Sequence, residues 1–408
     1  MKKKFLTSII YLSIYTTLPI NLFAYTAYFS NVTNGTVTVT STENNSIITT
    51  ITGITSARDL AITPDGRNLY VSQLNDTISV IDTSTNQVID TISTNDPRQI
   101  AISPDGDFLY VTNLNSNTVK IISTSSNEVV SSIEIGHATF SIAINPSGNL
   151  ACIGGATTGS IYVVNLVNQS IISTISGFSG LSCISFSIDG TKIYIADDTS
   201  DSIFVYDAST LLQLHSIPVG SNPSSITNTP DGEFLYVTNE SGNSVSVIST
   251  VSNTVLTSIA VGSAPSSIAI TPDGSTLYTA NSSSANASMI IAATNTATNV
   301  LSLSNGLYNV LIAPLATPTS LSGSQKMNDF GFRYELYNYL SWTPSTTPAT
   351  IGYNIYRDGV LISSISGINT TTYLDHNRED GVSYQYSIRS RASNGELSYP
   401  TSITIPSR

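Results

Sequence analysis

The chain has 408 residues, of which only 10% are charged, and its formal net charge is −12. It contains 25 glycines and 16 prolines, a composition that excludes collagen and argues against a low-complexity disordered protein. The length is enough for about two or three domains with their own cores. Because Val, Ile, Thr and Tyr recur in short runs, the sequence predicts an all-β protein.

The N-terminal residues have the features of an export signal. Residues 2–4 are lysines, residues 5–20 are mostly apolar, and Ala24 offers a small residue at a cleavage site. An uncleaved membrane anchor is the alternative, but the apolar stretch is short and interrupted by Ser and Thr. We therefore expect residues 1–24 to be a signal peptide, the mature chain to have no membrane-spanning segment, and the protein to be secreted, periplasmic or on the cell surface.

A repeat organises the chain from residue 25 to residue 314. It is marked by a Pro-Asp-Gly turn, or a close variant, whose glycines are Gly66, Gly106, Gly148, Gly190, Gly232 and Gly274. These glycines are separated by 40, 42, 42, 42 and 42 residues. Each turn joins two short apolar strands, two more strands follow, and Gly tolerates the positive φ of a tight hairpin. Four short strands at this spacing are typical of a β-propeller blade.

The two ends of the repeat region predict how the blades close into a ring. Residues 28–31 begin a unit at its second strand, 42 residues before Tyr70, and residues 307–312 resemble an isolated first strand. Pairing of these ends completes one more blade and removes an exposed sheet edge. We therefore predict a seven-bladed β-propeller over residues 25–314, closed by pairing of the N- and C-terminal strands.

A four-residue segment recurs in the second strand of the repeat. Residues 110–113 and 236–239 have the sequence Tyr-Val-Thr-Asn, whereas the equivalent residues 152–155 are Cys-Ile-Gly-Gly. The repeat thus resembles the YVTN-repeat β-propeller family. Members of that family are mostly exported or surface proteins, often with no assigned activity, so the resemblance implies the fold firmly and the function weakly.

Residues 315–408 predict a second domain of a different kind. They follow a Pro-containing linker at residues 314–318 and contain alternating strands around Trp342, Tyr353 and Tyr384, with a turn at residues 393–396. The spacing resembles an immunoglobulin-like, fibronectin type III β-sandwich. That resemblance implies that Trp342 is a core aromatic residue and that Tyr384 is placed like the tyrosine of the corner motif.

Charge is concentrated in the repeat region. Residues 25–314 carry 5 Lys or Arg and 20 Asp or Glu, whereas residues 315–408 carry 7 of each kind. Because such an acidic body repels phosphate backbones and anionic membranes, we expect no nucleic-acid partner. We expect a monomer that binds a protein or glycan ligand at one face of the propeller.

Residues suited to redox chemistry or metal binding are scarce. Export permits a disulfide between Cys152 and Cys183, and two buried thiols are the alternative. The histidines are scattered and form no zinc-binding set. Asp197, Asp198 and Asp201 are a weak calcium candidate, because they offer hard oxygen ligands without the EF-hand spacing, and a solvated loop is the alternative. No cofactor is expected.

The repeat is least regular where the chain enters each inner strand, near one mouth of the central channel. The residues at this position are Arg58, Arg98, Phe140, Ser182, Ser224, Ser266 and Tyr308. The residues that follow them are Asp59, Gln99, Ser141, Cys183, Ser225, Ser267 and Asn309.

Two arginines in adjacent blades of an acidic body point to an anionic ligand. Arg58 and Arg98 offer planar, bidentate donors for a carboxylate group. Phe140, Tyr308 and His137 lie on the same face and complete the candidate binding site. The alternative is that the arginines plug the channel or pair with Asp59, Asp96 and Asp90.

These observations favour an exported, non-catalytic binding or surface-interaction protein. Seven-bladed lactonases share the general architecture and bind substrate over the central channel, and resemblance to them implies His, Arg and Glu on the connections that face it. Here that face has His137 and two arginines, but no matching Glu. A lactonase-like hydrolase acting at the channel mouth is therefore the alternative, and a structural cell-envelope component is a third possibility.

Overall fold

The computed structural model describes residues 25–315, 318–329, 334–345, 350–376, 378–392, 397–398 and 400–406. The predicted signal peptide, residues 316–317 of the linker and the predicted turn at residues 393–396 lie outside this part of the chain. The described residues form strands and no helix, and so include no helix long and apolar enough to cross a membrane. The all-β prediction is confirmed.

Seven four-stranded antiparallel sheets, named sheets 1 to 7 in chain order, occupy the described residues 26–312. Sheet 1 contains β1 (Thr26–Asn31), β2 (Thr36–Ser41), β3 (Ser46–Ile51) and β28 (Leu307–Ile312). Sheet 2 contains β4 (Ala57–Ile62), β5 (Asn68–Gln73), β6 (Thr77–Asp82) and β7 (Gln87–Ser93). Sheet 3 contains β8 (Pro97–Ile102), β9 (Phe108–Asn113), β10 (Thr118–Ser123) and β11 (Glu128–Glu134). Sheet 4 contains β12 (Thr139–Ile144), β13 (Leu150–Gly155), β14 (Ser160–Asn165) and β15 (Ser170–Ser176).

The remaining three of these sheets repeat the same order. Sheet 5 contains β16 (Leu181–Phe186), β17 (Lys192–Asp197), β18 (Ser202–Asp207) and β19 (Gln213–Pro218). Sheet 6 contains β20 (Pro223–Asn228), β21 (Phe234–Asn239), β22 (Ser244–Ser249) and β23 (Thr254–Ala260). Sheet 7 contains β24 (Pro265–Ile270), β25 (Thr276–Asn281), β26 (Asn286–Ile291) and β27 (Thr296–Ser302).

The first and last strands of this region belong to one sheet. Strand β28 pairs antiparallel with β1, so that Leu311 lies opposite Tyr28 and Val310 lies opposite Phe29. Each inner strand contacts the inner strand of the next sheet, and β28 also contacts β4 of sheet 2. Each of the seven inner strands therefore contacts the inner strands of two other sheets.

Apolar clusters fill the spaces between neighbouring sheets. Between sheets 2 and 3, for example, Tyr70, Val80, Ile100, Leu109 and Val111 are all buried in one cluster. Successive side chains of a strand point to opposite faces of its sheet. Because both faces of each sheet pack against a neighbouring sheet, apolar residues occur on both faces. Each buried aliphatic side chain contributes about 1.5–3 kcal/mol to folding, so the inter-sheet clusters are the main source of stability.

The Pro-Asp-Gly turns are held by their own side chains. In sheet 2 the Thr63 hydroxyl donates to Asp65 Oδ1 at 2.6 Å, and the backbone N–H of Arg67 donates to the same oxygen at 3.0 Å. Gly66 has a φ of 75°, a conformation that favours glycine. The turn aspartates are thus turn-forming residues.

The outermost strands of sheets 1 to 6 each carry a β-bulge. In every case the register skips one residue, and that residue is aliphatic and between 45% and 55% exposed: Ile48, Ile89, Val130, Ile172, Leu214 and Leu256. A bulge interrupts the row of free backbone groups on an edge strand. These bulges therefore disfavour edge-to-edge pairing with another sheet.

Two further sheets follow residue 318. One contains β29 (Thr319–Asp329), β30 (Tyr334–Thr343) and β33 (Thr372–Asp375). The other contains β31 (Thr350–Arg357), β32 (Val360–Ser366), β34 (Tyr384–Ala392) and β35 (Thr401–Ile405). A shared core of Leu340, Trp342, Tyr353, Ile355, Tyr386, Ile388 and Ile405 joins them.

Two tyrosines of β34 have different environments. The guanidinium groups of Arg357 and Arg378 lie 5.8 and 5.3 Å from the ring centroid of Tyr384, which is half-buried. Tyr386 is fully buried, and its hydroxyl donates to Asp375. Tyr384, the first residue of β34, accepts a hydrogen bond on its hydroxyl from the backbone N–H of Glu379 at 3.2 Å, whereas Tyr386 is the fully buried tyrosine of this core.

Candidate active site

A cavity of about 240 Å³ lies at the channel mouth, where the inner strands begin. Small-molecule pockets usually measure about 300–1,000 Å³, so this cavity suits a small ligand. Each inner strand contributes two successive residues, and Leu114 completes the lining. The first residues are Arg58, Arg98, Phe140, Ser182, Ser224, Ser266 and Tyr308, and the second are Asp59, Gln99, Ser141, Cys183, Ser225, Ser267 and Asn309.

One half of this mouth is lined by serines that hold the sheets together. The hydroxyl of Ser182 donates to the carbonyl oxygen of Pro223 in the next sheet at 2.6 Å. The hydroxyl of Ser224 donates in the same way to Pro265 at 2.9 Å. These hydroxyl groups stabilise contacts between inner strands. Among the residues that the structure describes, no histidine lines the cavity as a base for a serine nucleophile.

Arg98 in the other half is paired within the protein. Its Nη2 atom lies 2.9 Å from Asp96 Oδ2, and both side chains are largely buried. Burial raises the pKa of Asp96, although the positive charge of Arg58 opposes this effect. Asp90, another candidate partner, instead accepts a hydrogen bond from Asn127 on its Oδ2 atom. The predicted internal pairing is therefore present for Arg98 through Asp96.

Arg58 has no such partner. Among the described residues it forms no ion pair, and its guanidinium group lies 5.0 Å from the ring centroid of Tyr308. Its Nε and Nη1 atoms are buried without a hydrogen-bond partner. Leaving buried donors unpaired costs free energy, typically about 1–3 kcal/mol. Arg58 therefore lines the cavity with guanidinium donors that no described residue satisfies.

Asp59 places a buried carboxyl group beside Arg58. It is 6% exposed, its Oδ2 atom accepts from the backbone N–H of Ile100 at 2.8 Å, and its Oδ1 atom accepts from the amide of Asn309. Burial raises the pKa of Asp59 to about 6, while hydrogen bonds from Ile100, Leu60 and Asn309 and the charge of Arg58 oppose the rise. This carboxyl group therefore changes its protonation state close to neutral pH, as general bases do.

Replacing Asp59 with asparagine should change how stability depends on pH. The folded-state pKa of about 6 lies above the unfolded value of about 3.9, so protonation stabilises the folded chain below about pH 4 and this stabilisation is lost as pH rises through about 6. The difference in pKa corresponds to about 3 kcal/mol. We expect the free energy of unfolding of the wild type, measured in urea, to fall by about that much more than that of Asp59→Asn between pH 4 and pH 7. Equal changes in the two proteins would contradict the assigned environment.

His137 lies outside the cavity. It is exposed, its ring stacks on that of Tyr162 with a centroid distance of 5.8 Å, and it is absent from the lining residues. Phe140, Tyr308, Arg58 and Arg98 all line the cavity. The structure therefore groups four of the five predicted binding residues.

Two of the three aspartates proposed as a calcium site, Asp197 and Asp201, accept hydrogen bonds from nearby backbone N–H groups. Asp197 is buried and accepts hydrogen bonds from the backbone N–H groups of Ser179, Gly180 and Ser200. Burial opposes its ionisation, but these backbone donors hold the pKa of Asp197 below its usual value. Asp201 Oδ1 accepts from a different backbone donor, and the described residues contain no group of three or more side chains that could hold a metal ion.

The two cysteines are free and buried. Burial raises the pKa of Cys152 to about 12 and that of Cys183 to about 11. Cys183 lines the cavity. Because the thiolate is the reactive form, both thiols are poor nucleophiles at neutral pH.

Two residues of the site acquire roles that sequence reasoning did not give them. The sequence predicts Asp59 only as an internal partner for an arginine, and it places Asn309 only as a member of a series. A signal was present, because Asp59 is the single carboxylate in a series otherwise made of Gln, Ser, Cys and Asn. Its burial, however, becomes visible only in the folded ring.

The sequence model of the family described as "Lactonase, 7-bladed beta-propeller" matches residues 23–132 and 156–257, more than half of the chain. The chain belongs to this family. The matched segments include Arg58, Asp59 and Arg98, but not residues 133–155, where His137 and Phe140 lie. A comparison with curated proteins finds no sequence match.

Solved structures of other propeller proteins share the fold of this lactonase-family chain. Hydrazine synthase from Kuenenia stuttgartiensis is 20% identical with a TM-score of 0.59, covering 72% of this chain and 99% of the other. A protein of unknown function from Desulfotomaculum acetoxidans is 19% identical with a TM-score of 0.63, covering 71% and 99%. A candidate 6-phosphogluconolactonase from Bacteroides fragilis is 15% identical with a TM-score of 0.61, covering 72% and 99%. At these identities the likeness shows the fold alone.

The expectation that the protein is not an enzyme is wrong. The family whose model matches most of the repeat region is a lactonase family, which points to a hydrolase. The expectation relied on the absence of a glutamate on the connections that face the channel. The carboxyl group in the cavity belongs instead to Asp59, on the inner strand itself.

Proposed function

We propose that this protein hydrolyses a small lactone that carries an anionic group, at the mouth of the central channel. One observation carries the proposal: a buried carboxyl group with a pKa of about 6, that of Asp59, lies next to the unpaired guanidinium donors of Arg58 in one cavity. The chain's membership of the lactonase family supports the same chemistry.

Opening a lactone with water requires a base and a group that stabilises the oxyanion. In the proposed mechanism the Asp59 carboxylate removes a proton from water as the water oxygen bonds to the lactone carbonyl carbon. The N–H groups of Arg58 donate to the oxyanion that forms. When the ring C–O bond breaks, the proton passes from Asp59 to the leaving alkoxide, and a hydroxy acid is released.

The hydrogen bonds that Asp59 accepts from the protein do not use all of its acceptor capacity, so the carboxylate can also bind water. Each carboxylate oxygen has two lone pairs, and the backbone N–H groups of Ile100 and Leu60 and the amide of Asn309 use three of the four. One lone pair remains for water. The base is therefore both oriented by the protein and able to accept a proton.

The anionic group of the substrate is assigned to the arginine side of the mouth. Arg98 is paired with Asp96, whereas Arg58, beside Asp59, retains donors without a hydrogen-bond partner. Few other basic side chains occur in the acidic repeat region, namely Arg67, Lys120 and Lys192. A carboxylate or phosphate on the substrate is the group that the donors of a guanidinium bind best.

Replacing Arg58 and Arg98 together with glutamine should weaken the hydrolysis of every lactone, because Arg58 stabilises the oxyanion, and that of anionic lactones further. Loss of a desolvated, charge-assisted contact costs about 2 kcal/mol or more, which corresponds to a fall of at least about 30-fold in kcat/KM. The measurement is kcat/KM for pairs of lactones with and without an anionic substituent. Arg67→Gln is the matched control, because Arg67 is an exposed arginine of a turn that pairs with Asp65.

The control should behave like the wild type toward both lactones. If the double variant loses stability but keeps its preference for the anionic lactone, the arginines only plug the channel. If the wild type opens no lactone faster than buffer does, the proposed function itself is wrong.

The proposal includes a finer description of the fold. We take the seven sheets as blades of one closed propeller, supported by the pairing of β28 with β1 and the contact between β28 and β4. We take the C-terminal sheets, of three and four strands around Trp342, as a fibronectin type III-like sandwich. Export of the enzyme is also part of the proposal, and the basic and apolar character of residues 1–24 supports it.

A further inference from the structure

We infer that Asn309, on the strand that completes sheet 1, is a positioning residue for the carboxyl group of Asp59. The inference rests on the proposed function, because it takes Asp59 as the base. Asn309 lies 250 residues from Asp59 in the chain and reaches it only when the ends of the repeat region meet.

A chain of hydrogen bonds fixes the orientation of the Asn309 amide. The backbone N–H of Val310 donates to Ser267 Oγ at 3.3 Å, and the Ser267 hydroxyl donates to Asn309 Oδ1 at 2.7 Å. The amide oxygen is thus occupied, and the Nδ2 group faces Asp59 and donates to its Oδ1 atom. The side chain therefore presents a donor, rather than an acceptor, to the carboxyl group.

Asn309 is also anchored through its backbone. Its N–H donates to Ser30 Oγ at 3.0 Å. On the opposite side of the carboxyl group, the N–H of Ile100 donates to Asp59 Oδ2. Sheets 1 and 3 therefore hold the two oxygens of an aspartate that belongs to sheet 2.

Other charged and titratable groups face Asp59 from the strands around it. Arg58 is adjacent on β4, Tyr308 is on β28, and Arg98 of β8 is paired with Asp96. Cys183 lies in the same cavity, and burial keeps its thiol neutral. Arg58 acts on Asp59 through its positive charge. The amide of Asn309 is a separate, neutral donor to the same carboxylate.

Removal of this donor should favour the protonated acid. A hydrogen bond to a carboxylate stabilises its charged form, so its loss raises the pKa of the group. The base then becomes active only at higher pH. Hydrolysis near pH 6 should fall, whereas hydrolysis near pH 9 should be retained.

The test is the pH profile of lactone hydrolysis by the full chain with Asn309→Leu. We expect the midpoint of the rise in kcat/KM to move up by about one pH unit. Ser267→Ala, which leaves Asn309 in place but removes the hydroxyl that orients its amide, should move the midpoint in the same direction by less.

Asn228→Leu is the matched control. The amide of Asn228 also bridges neighbouring inner strands, donating to Ser185 Oγ at 3.2 Å and to the carbonyl oxygen of Phe186 at 3.1 Å. It is the last residue of β20, at the other end of the channel from the cavity. Its loss should lower the melting temperature without moving the pH midpoint.

Unchanged midpoints in folded Asn309→Leu and Ser267→Ala would overturn the inference. Should Asn309→Leu fail to fold, Ser267→Ala alone decides the question. If no lactone is hydrolysed, the proposed function fails, and carbon-13 NMR titration of the Asp59 carboxyl group still tests whether Asn309 controls its ionisation. An unshifted titration in the variants would then reject the inference by itself.

Discussion

A chain that ends after Gly306 should not fold cooperatively, whereas a chain that ends after residue 316 should. The shorter chain lacks β28, the inner strand of sheet 1, so β1 is left with an unpaired edge and the channel loses part of its wall. Exposed edges of this kind promote aggregation. Thermal unfolding followed by circular dichroism, together with size-exclusion chromatography, would measure the effect.

The expected loss is large relative to the stability of a typical domain. Leu307 and Val310 are only 2% and 3% exposed and belong to the core between sheets 7 and 1. Burial of each contributes about 1.5–3 kcal/mol, and a whole ladder of backbone hydrogen bonds is lost as well. Total stabilities are about 5–15 kcal/mol, so the deletion removes a substantial part.

The chain that ends after residue 316 is the control, because it keeps β28 and removes only the C-terminal sheets. Its repeat region should melt in one transition. Cooperative and unshifted melting of the chain that lacks β28 would show that the seven sheets do not depend on this closure.

The fold was predictable because its signals are local and repeated. Each turn, such as the one at Gly66, needs only a few neighbouring residues, and repetition of the turn reveals the unit. The positions of Arg58 and Arg98 at the channel mouth followed from the same repeat. Whether these arginines are paired did not follow, because Asp96 and Asp90 were both candidate partners, and only the structure shows that Asp96 contacts Arg98 while Asp90 accepts from Asn127.

The role of Asp59 could not be obtained from the sequence. Its pKa depends on burial between sheets 1 and 3 and on Asn309, which is distant in the chain. The non-catalytic interpretation was wrong for the same reason. A search for glutamate on the channel-facing connections overlooks a carboxyl group that lies on an inner strand.

Replacement of Asp59 with asparagine should reduce kcat/KM for lactone hydrolysis by at least about 100-fold at pH 7.5. General-base catalysis typically contributes a factor of about 100 to 10,000, and an amide cannot accept the proton of water. Asparagine has nearly the same shape, so the cavity and the contacts of Arg58 should remain.

The pH profile separates loss of the base from loss of structure. In the wild type, kcat/KM should rise with pH and level off above about 6, because the carboxylate form is the active one. The residual activity of Asp59→Asn should lack this rise. Asp90→Asn provides the control, since Asp90 is an exposed residue of outer strand β7 and its loss should leave both the rate and the profile unchanged. If Asp59→Asn kept the wild-type rate while the arginine double variant lost it, the base would have to be another group, and the cavity would serve only to bind the anionic part of the substrate.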